Sequence, residues 1–414
     1  MRCTFPYFAY LNAHLTMVKQ DTDTYHHSGQ YQPWRALIAS ETCREVETMS
    51  PNPTDQRLAR HDAPLVTFNP GIIDETLSLP IDEAVAVLCD SGPLDQVPGY
   101  NGSYEHELLA KAHATLDAAL RYHDEAALHQ IHRALFLLYD LHVADAGSPR
   151  TEHQFDPLLT RLRREIERRW LDTETSRFAH VPRPADSDEL VAALKRLWSE
   201  HPASCHPLFD FLEKEASKEQ IIAFFTSDSA LNIRFFDLLL FSMVGSRIEV
   251  RKELAQNFWD ESGRGEPARS HVTLFRRLLD SAGVGQAVDN HAAKLDWQGL
   301  AGYNLFMLTA LNRRHYFKLL GILAMTELLD PPQYEKLARG CRRVGLGTAN
   351  ELEYYDEHVT IDVVHGEGWL MNVIVPIVEQ TPSASADILV GARLRLQSCA
   401  GYYDALYAKL NALR

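Results

Sequence analysis

The sequence predicts an all-α protein, and three observations carry that expectation. Apolar residues recur at spacings of three and four through every segment after about residue 72. The breaks between these segments carry Gly, Pro or Asn, and no segment alternates convincingly as a strand.

Residues 1–65 are rich in Thr, Pro, Gln and His with weak periodicity, and read as an irregular N-terminal arm. The adjacent His26 and His27 in HHSGQYQPW read as part of a polar segment rather than a metal site, because neighbouring histidines diverge on any regular backbone. Residues 66–185 form a helical N-terminal region, with IDEAVAVLCDS, HELLAKAHATLDAALRYH, DEAALHQIHRALFLLYDLHV and PLLTRLRREIERRWL as amphipathic helices. In the third, Glu125, His129 and His132 stand four and three apart. No nearby helix offers a comparable set, so they read as polar residues of a helix–helix or subunit contact. FAHVPRPADSDEL, with Pro182 and Pro184, reads as a linker, with Ser187 as the expected N-cap of the next helix. The boundary falls near 185, and residues 186–414 form a second helical unit.

The chain has 414 residues, 45% hydrophobic and 23% charged, enough for two domains with sizeable cores. Lys and Arg number 41 against 56 Asp and Glu, a formal charge of −15 that disfavours nucleic acid and anionic membrane surfaces as partners. The opening MRCTFPYFAYLNAHLTMVKQ lacks a cleavage-site pattern, and the longest apolar run, around FFDLLLFSMVG, is too short to span a membrane and carries Asp237. A cytoplasmic location is expected. The six cysteines show no CxxC pair and read as free thiols.

The stretch HVTIDVVHGEGW places His358, Asp362 and His365 at spacings of four and three. At about 100° per residue, all three side chains leave one narrow helix face. Iron and manganese in helical bundles are held by such inward carboxylates and imidazoles, and a second ligand set must then exist. In NFWDESGRGEPARSHVTLF, Glu261 and His271 are ten residues apart, and Gly263, Gly265 and Pro267 break the helix between them so that both can face one centre. In LGILAMTELLDPP, Glu327 is the charged residue of an apolar helix that the prolines are expected to end. It either sits in the core needing a partner or points outward. The six together are three carboxylates and three histidines, a diiron-type count. The competing reading is a helical protein with buried polar networks and no metal.

Taken in order, NxWDExGxG…H, LGxLAxTEL and H-x3-D-x2-H resemble the heme-oxygenase-like diiron oxidases and oxygenases, many of them known as iron-containing redox enzymes. The resemblance covers roughly residues 190–414. It implies a seven-helix bundle preceded by a helical region, two irons per chain held by Glu261, His271, Glu327, His358, Asp362 and His365, and O₂ as co-substrate. Members that hydroxylate amine or guanidine nitrogens add a carboxylate from the preceding helix. Asp237 in RFFDLLLF is the preferred candidate, with Asp228 the alternative. The function this implies is O₂-dependent oxidation of a small nitrogen-containing, amino-acid-like metabolite, by N-oxygenation or by oxidative C–C cleavage of an amino or fatty acid. An external electron donor and a homodimer are expected; a non-catalytic scaffold with a vestigial site is the alternative from another class. Arg343, Arg393 and Arg395 are candidates for a substrate carboxylate, because a guanidinium fork pairs with it bidentately.

Overall fold

The computed structural model describes residues 71–285, 292–347 and 350–413. The expected arm over 1–65, with His26 and His27, lies outside them. Among the described residues there is no strand, and the fold is all-α as expected.

The first helices are α1 (Ile72–Ser78), α2 (Ile81–Cys89), α3 (Gly102–Tyr122), α4 (Glu125–Asp140) and α5 (Pro157–Ser176). Each of the last three starts on a side-chain cap: Asn101, Asp124 and Asp156 accept from backbone N–H groups of the first turn that would otherwise be unpaired. His132 of α4 is fully buried, edge-on to Trp170 at 4.8 Å and stacked on Trp297 at 5.9 Å, while its carbonyl accepts from Asn304 at 2.8 Å. Glu125 accepts from the Trp297 indole. Glu125 and His132 therefore serve helix–helix packing, joining α4 to α5 and to α12 (Trp297–Leu311).

After α5 come α6 (Ser187–Glu200), α7 (Pro207–Lys214), α8 (Lys218–Asn232), α9 (Phe235–Met243), α10 (Arg251–Glu261) and α11 (His271–Ser281). The cap of α6 is Asp186, whose side chain accepts from the Glu189 N–H at 2.8 Å, and not Ser187, which is already helical. Ser217 and Gln220 form a capping box on α8.

The centre of the bundle is α13 (Tyr316–Arg343), packed against α14 (Glu353–Gly368) and α16 (Ala384–Ala412). At the crossing of α13 with α16 a Cβ on Gly321 would meet the Ile388 carbonyl at 2.0 Å and one on Gly391 the Lys318 carbonyl at 2.1 Å. Glycines on both helices let the backbones touch. The sequence expectation that α13 ends before its prolines is corrected: the helix runs through Pro331 and Pro332 to Arg343. Proline removes an N–H and crowds the carbonyl four residues back, costing about 3 kcal/mol in an isolated helix. Here tertiary packing outweighs that penalty, since Pro331 and its neighbours Leu329 and Tyr334 are buried.

Beyond α14 the chain passes through a π turn, Trp369–Ile374, into α15 (Val375–Gln380). This continuous run, Glu353–Gln380, is long and apolar enough to cross a membrane by length and composition, but 61% of its apolar window is buried inside the bundle. Cys89, Cys341 and Cys399 are free and buried.

Candidate metal centre

Glu261 is the last residue of α10 and His271 the first of α11. Between them Gly263 (φ 78°), Arg264 (φ 55°) and Gly265 (φ 88°) are all left-handed. A Cβ at Gly263 would meet the Glu266 carbonyl at 2.4 Å, so glycine is required there. Ser270 restarts the chain as the cap of α11, accepting from the Thr273 N–H at 3.3 Å. The reversal turns both side chains inward, and His271 Nδ1 lies 2.7 Å from Glu261 Oε2.

The other four residues come from two core helices. Glu327 is in the middle of α13, and His358, Asp362 and His365 share the buried face of α14, as their spacing predicts. All six are 2–6% exposed. Two groups result, each with its donor atoms within 4.8 Å of one another: Glu261, His271 and His358 in one, Glu327, Asp362 and His365 in the other. The two groups share α14.

Neighbours orient the rings. His358 Nδ1 donates to the Tyr354 carbonyl at 2.6 Å, which leaves Nε2 as its free donor atom. His365 Nε2 contacts Asp260 Oδ2 at 3.2 Å, so Nδ1 faces Glu327 Oε2 at 3.5 Å and Asp362 Oδ1 at 3.9 Å. Asp260 is the functional residue sequence reading missed. At about 100° from Glu261 it looks off-face, and its signal was the polar row Gln256, Asp260, Arg264 at spacings of four, whose ends both contact it.

The electrostatics are those of a cluster short of positive charge. Burial works against ionised Glu261, yet His271 holds its carboxyl below the usual value. Burial also opposes protonation of His271 and His365, but Glu261 raises the first, and Asp260 and Glu327 hold the second up at about 10. Burial and then Glu327 push Asp362 well above the carboxylate range, while burial and His271 take His358 down to about 3. Protons here do the work that cations could do. His271 Nδ1 and Nε2, Glu327 Oε1, Asp362 Oδ1 and His365 Nδ1 are all buried without a hydrogen bond. Each such orphan costs about 1–3 kcal/mol. The His271–Glu261 contact is short yet not aligned as a hydrogen bond, as expected of two lone pairs aimed at a third centre. The donor set fits iron: three carboxylates to balance charge and three imidazoles.

An interior cavity of about 70 Å³ adjoins the centre, touching Glu261, Glu327, His358 and Asp362. Asp228 lines it and accepts from Asn232 at 2.7 Å. Asp237, preferred from sequence as a seventh ligand, lies outside both groups and the cavity. Its side chain is 37% exposed and 3.6 Å from Arg234. Arg343 donates to the Glu213 and Ala216 carbonyls at the end of α7, and Arg393 stands over the Phe178 ring. Neither reaches the cavity. Arg395 does: it is 7% exposed, and its Nε donates to Thr326 Oγ1 at 2.9 Å.

An all-α bundle with this centre defines a class, and comparison with known proteins gives the same one. Residues 222–400, which contain all six residues of the two groups, match a family described as "Iron-containing redox enzyme". Among particular proteins, the nitrosourea synthase of Streptomyces achromogenes subsp. streptozoticus is 29% identical over 136 residues, 30% of this chain and 27% of that enzyme. The chain thus matches about a quarter of its relative's length. A crystal structure of a CADD-like protein of unknown function from Nostoc punctiforme overlays on 55% of this chain and 97% of its own, at 16% identity and a TM-score of 0.42, too loosely to bear on the site. The chain carries an iron-containing oxidoreductase domain.

Proposed function

We propose that this protein is a non-heme diiron oxygenase that uses O₂ to oxidise a small, nitrogen-bearing, amino-acid-like metabolite by N-oxygenation. The observation that carries the reading is the pair of buried His-carboxylate groups sharing α14 and opening onto one cavity lined also by Asp228, Asp330 and Arg395. Two irons, when bound, would supply the electron chemistry with O₂. Glu261, His271 and His358 would hold one and Glu327, Asp362 and His365 the other. Glu327 Oε1 is unpaired in the interior, available for a second metal contact. The Tyr354 carbonyl and Asp260 fix the two α14 imidazoles, and Phe209, Phe224 and Phe235 supply apolar wall to the cavity.

Putting one oxygen atom of O₂ into an N–H bond leaves the other to be reduced to water by two electrons and two protons. An external donor is therefore part of the reading. The local likeness to a nitrosourea synthase supports nitrogen as the target. Oxidative C–C cleavage of an amino acid is the second reading. A fatty acid fits less well, because Asp228, Asp330 and Arg395 line a cavity that a long alkyl chain would need apolar.

The test is iron content and O₂ uptake of the full chain reconstituted anaerobically with Fe(II), with free amino acids as substrates. Two irons per chain and O₂ uptake stimulated by an amino acid are expected. Fewer than one iron, or uptake indifferent to any nitrogen compound, overturns the proposal.

A further inference from the structure

The cavity has an end that neither ligand group uses, and its charges are left open. Arg395 of α16 is 7% exposed and spends Nε on Thr326, while its two Nη nitrogens have no hydrogen-bond or ion-pair partner among the described residues. Asp228 of α8 lines the same cavity and holds only the Asn232 amide; it and Arg395 form no ion pair with one another. Ser398 Oγ and Tyr402 Oη, also lining the cavity, are buried without a partner. A buried guanidinium and a carboxylate that face one space yet do not pair are expensive unless something placed between them pairs with both.

The balance of charge narrows what that is. Burial pushes Asp228 up to about 6, which leaves it an anion at neutral pH. Burial pushes Asp330 up and Arg395 pulls it the other way. The open end therefore presents the Arg395 guanidinium, the Asp228 carboxylate, the Asp330 carboxyl and two unpaired hydroxyls. We infer that it is a recognition site for the head group of a free α-amino acid, with the substrate carboxylate on the Arg395 fork and its ammonium on Asp228. Thr326, which anchors Arg395, adjoins Glu327 in sequence, and Asp330 follows one turn later, about 5 Å along α13. The head group thus lies within about a turn of the metal centre. The cavity has room for about five to seven water-sized groups, a free small amino acid rather than a peptide or acyl carrier. The assignment rests on the oxygenase reading only in taking the bound molecule as the substrate.

Calorimetric titration of the full chain, loaded with Fe(II) under nitrogen and separately metal-free, tests it with L-2-aminopentanoate, pentanoate and butylamine. The second probe lacks the ammonium and the third the carboxylate. L-2-aminopentanoate is expected to bind about tenfold or more tightly than either, the scale of one charge-assisted hydrogen bond. Arg395→Gln should remove its advantage over butylamine and leave butylamine binding unchanged, with Arg395→Lys intermediate. Asp228→Asn should remove its advantage over pentanoate and leave pentanoate unchanged. Equal weakening of all three probes by either variant, or no preference for the amino acid, overturns the inference. If Arg395→Gln unfolds, the Asp228→Asn arm decides alone. The crossed binding pattern in a protein that fails to hold iron or consume O₂ would sink only the oxygenase reading; two irons without the pattern would sink only this one.

Discussion

Asp260 Oδ2 lies 3.2 Å from His365 Nε2, and the other oxygen of the same carboxylate accepts from Arg264 Nε at 2.7 Å. The histidine ring is thereby fixed with Nδ1 towards Glu327 and Asp362. Carboxylates behind metal-ligating histidines typically contribute 10–100-fold to affinity. Asp260→Asn should weaken metal binding by about that factor with little loss of helicity, read by Fe(II) or Co(II) titration with circular dichroism as the control. Unchanged affinity would mean that Asp260 serves only its surface contacts.

Glu327→Ala should lose at least one iron and substrate-dependent O₂ uptake while the fold holds. The alanine removes one of three buried carboxylates that offset cation repulsion, but it also removes a desolvated orphan oxygen, so the stability change should be small. A mutant with two irons and normal uptake would show that Glu327 is not needed to hold the metals.

Gly263→Ala probes the turn. Its φ of 78° and the 2.4 Å approach of a Cβ to the Glu266 carbonyl make alanine strained, at about 1–3 kcal/mol. Glu261 and His271 flank this turn, whereas Glu327, Asp362 and His365 sit on two core helices. The variant should therefore fall towards one iron per chain before it unfolds. Loss of both irons together, or of neither, would show that the two groups do not differ in this way.

Acid should weaken the N-terminal helices through His132. Burial, with His129 nearby, takes this imidazole down to about 3, against about 6.5 in an unfolded chain. Above pH 6.5 it is neutral in both states and its contribution is whole. As pH falls from 6.5 towards 3 the unfolded chain takes up a proton that the folded one refuses, removing up to about 1.4 kcal/mol per pH unit. Urea unfolding at pH 7 and pH 5.5 should show a steeper loss in wild type than in His132→Asn; parallel slopes would exclude the effect.

Much of this was legible in the sequence because it rests on local periodicity. The helix class, the single face of His358, Asp362 and His365, and the break between Glu261 and His271 follow from spacing and from glycine. What failed depended on tertiary contacts. The prolines after Asp330 read as a stop, yet packing carries α13 through them and leaves Glu327 mid-helix rather than at an end. Asp237 looked buried because its neighbours are apolar, but one flank of α9 faces outward, with Leu240 46% exposed, and of the two aspartates offered as a seventh ligand it is Asp228 that lines the cavity. The arginines of the pattern R-x-R at 393 and 395 stand two residues apart, about 200° around the helix, so that Arg393 meets the Phe178 ring and Arg395 the cavity, and nothing local indicates which side is open.

In the π turn Trp369–Ile374, hydrogen bonds reach one residue further than in an α-helix, so the segments on either side are offset by about one residue, ~100°. The face of α14 that bears the ligands and the face of α15 that buries Ile377 and Val378 are consequently set independently. Deleting one residue there would give an unbroken α-helix in which Ile377 and Val378 stay buried, since the ~100° lost with the residue equals the ~100° that the π turn takes up, whereas regularising the turn to α without a deletion would swing them away from the interior. The bundle thus absorbs one extra residue after its ligand-bearing helix without moving either packed face.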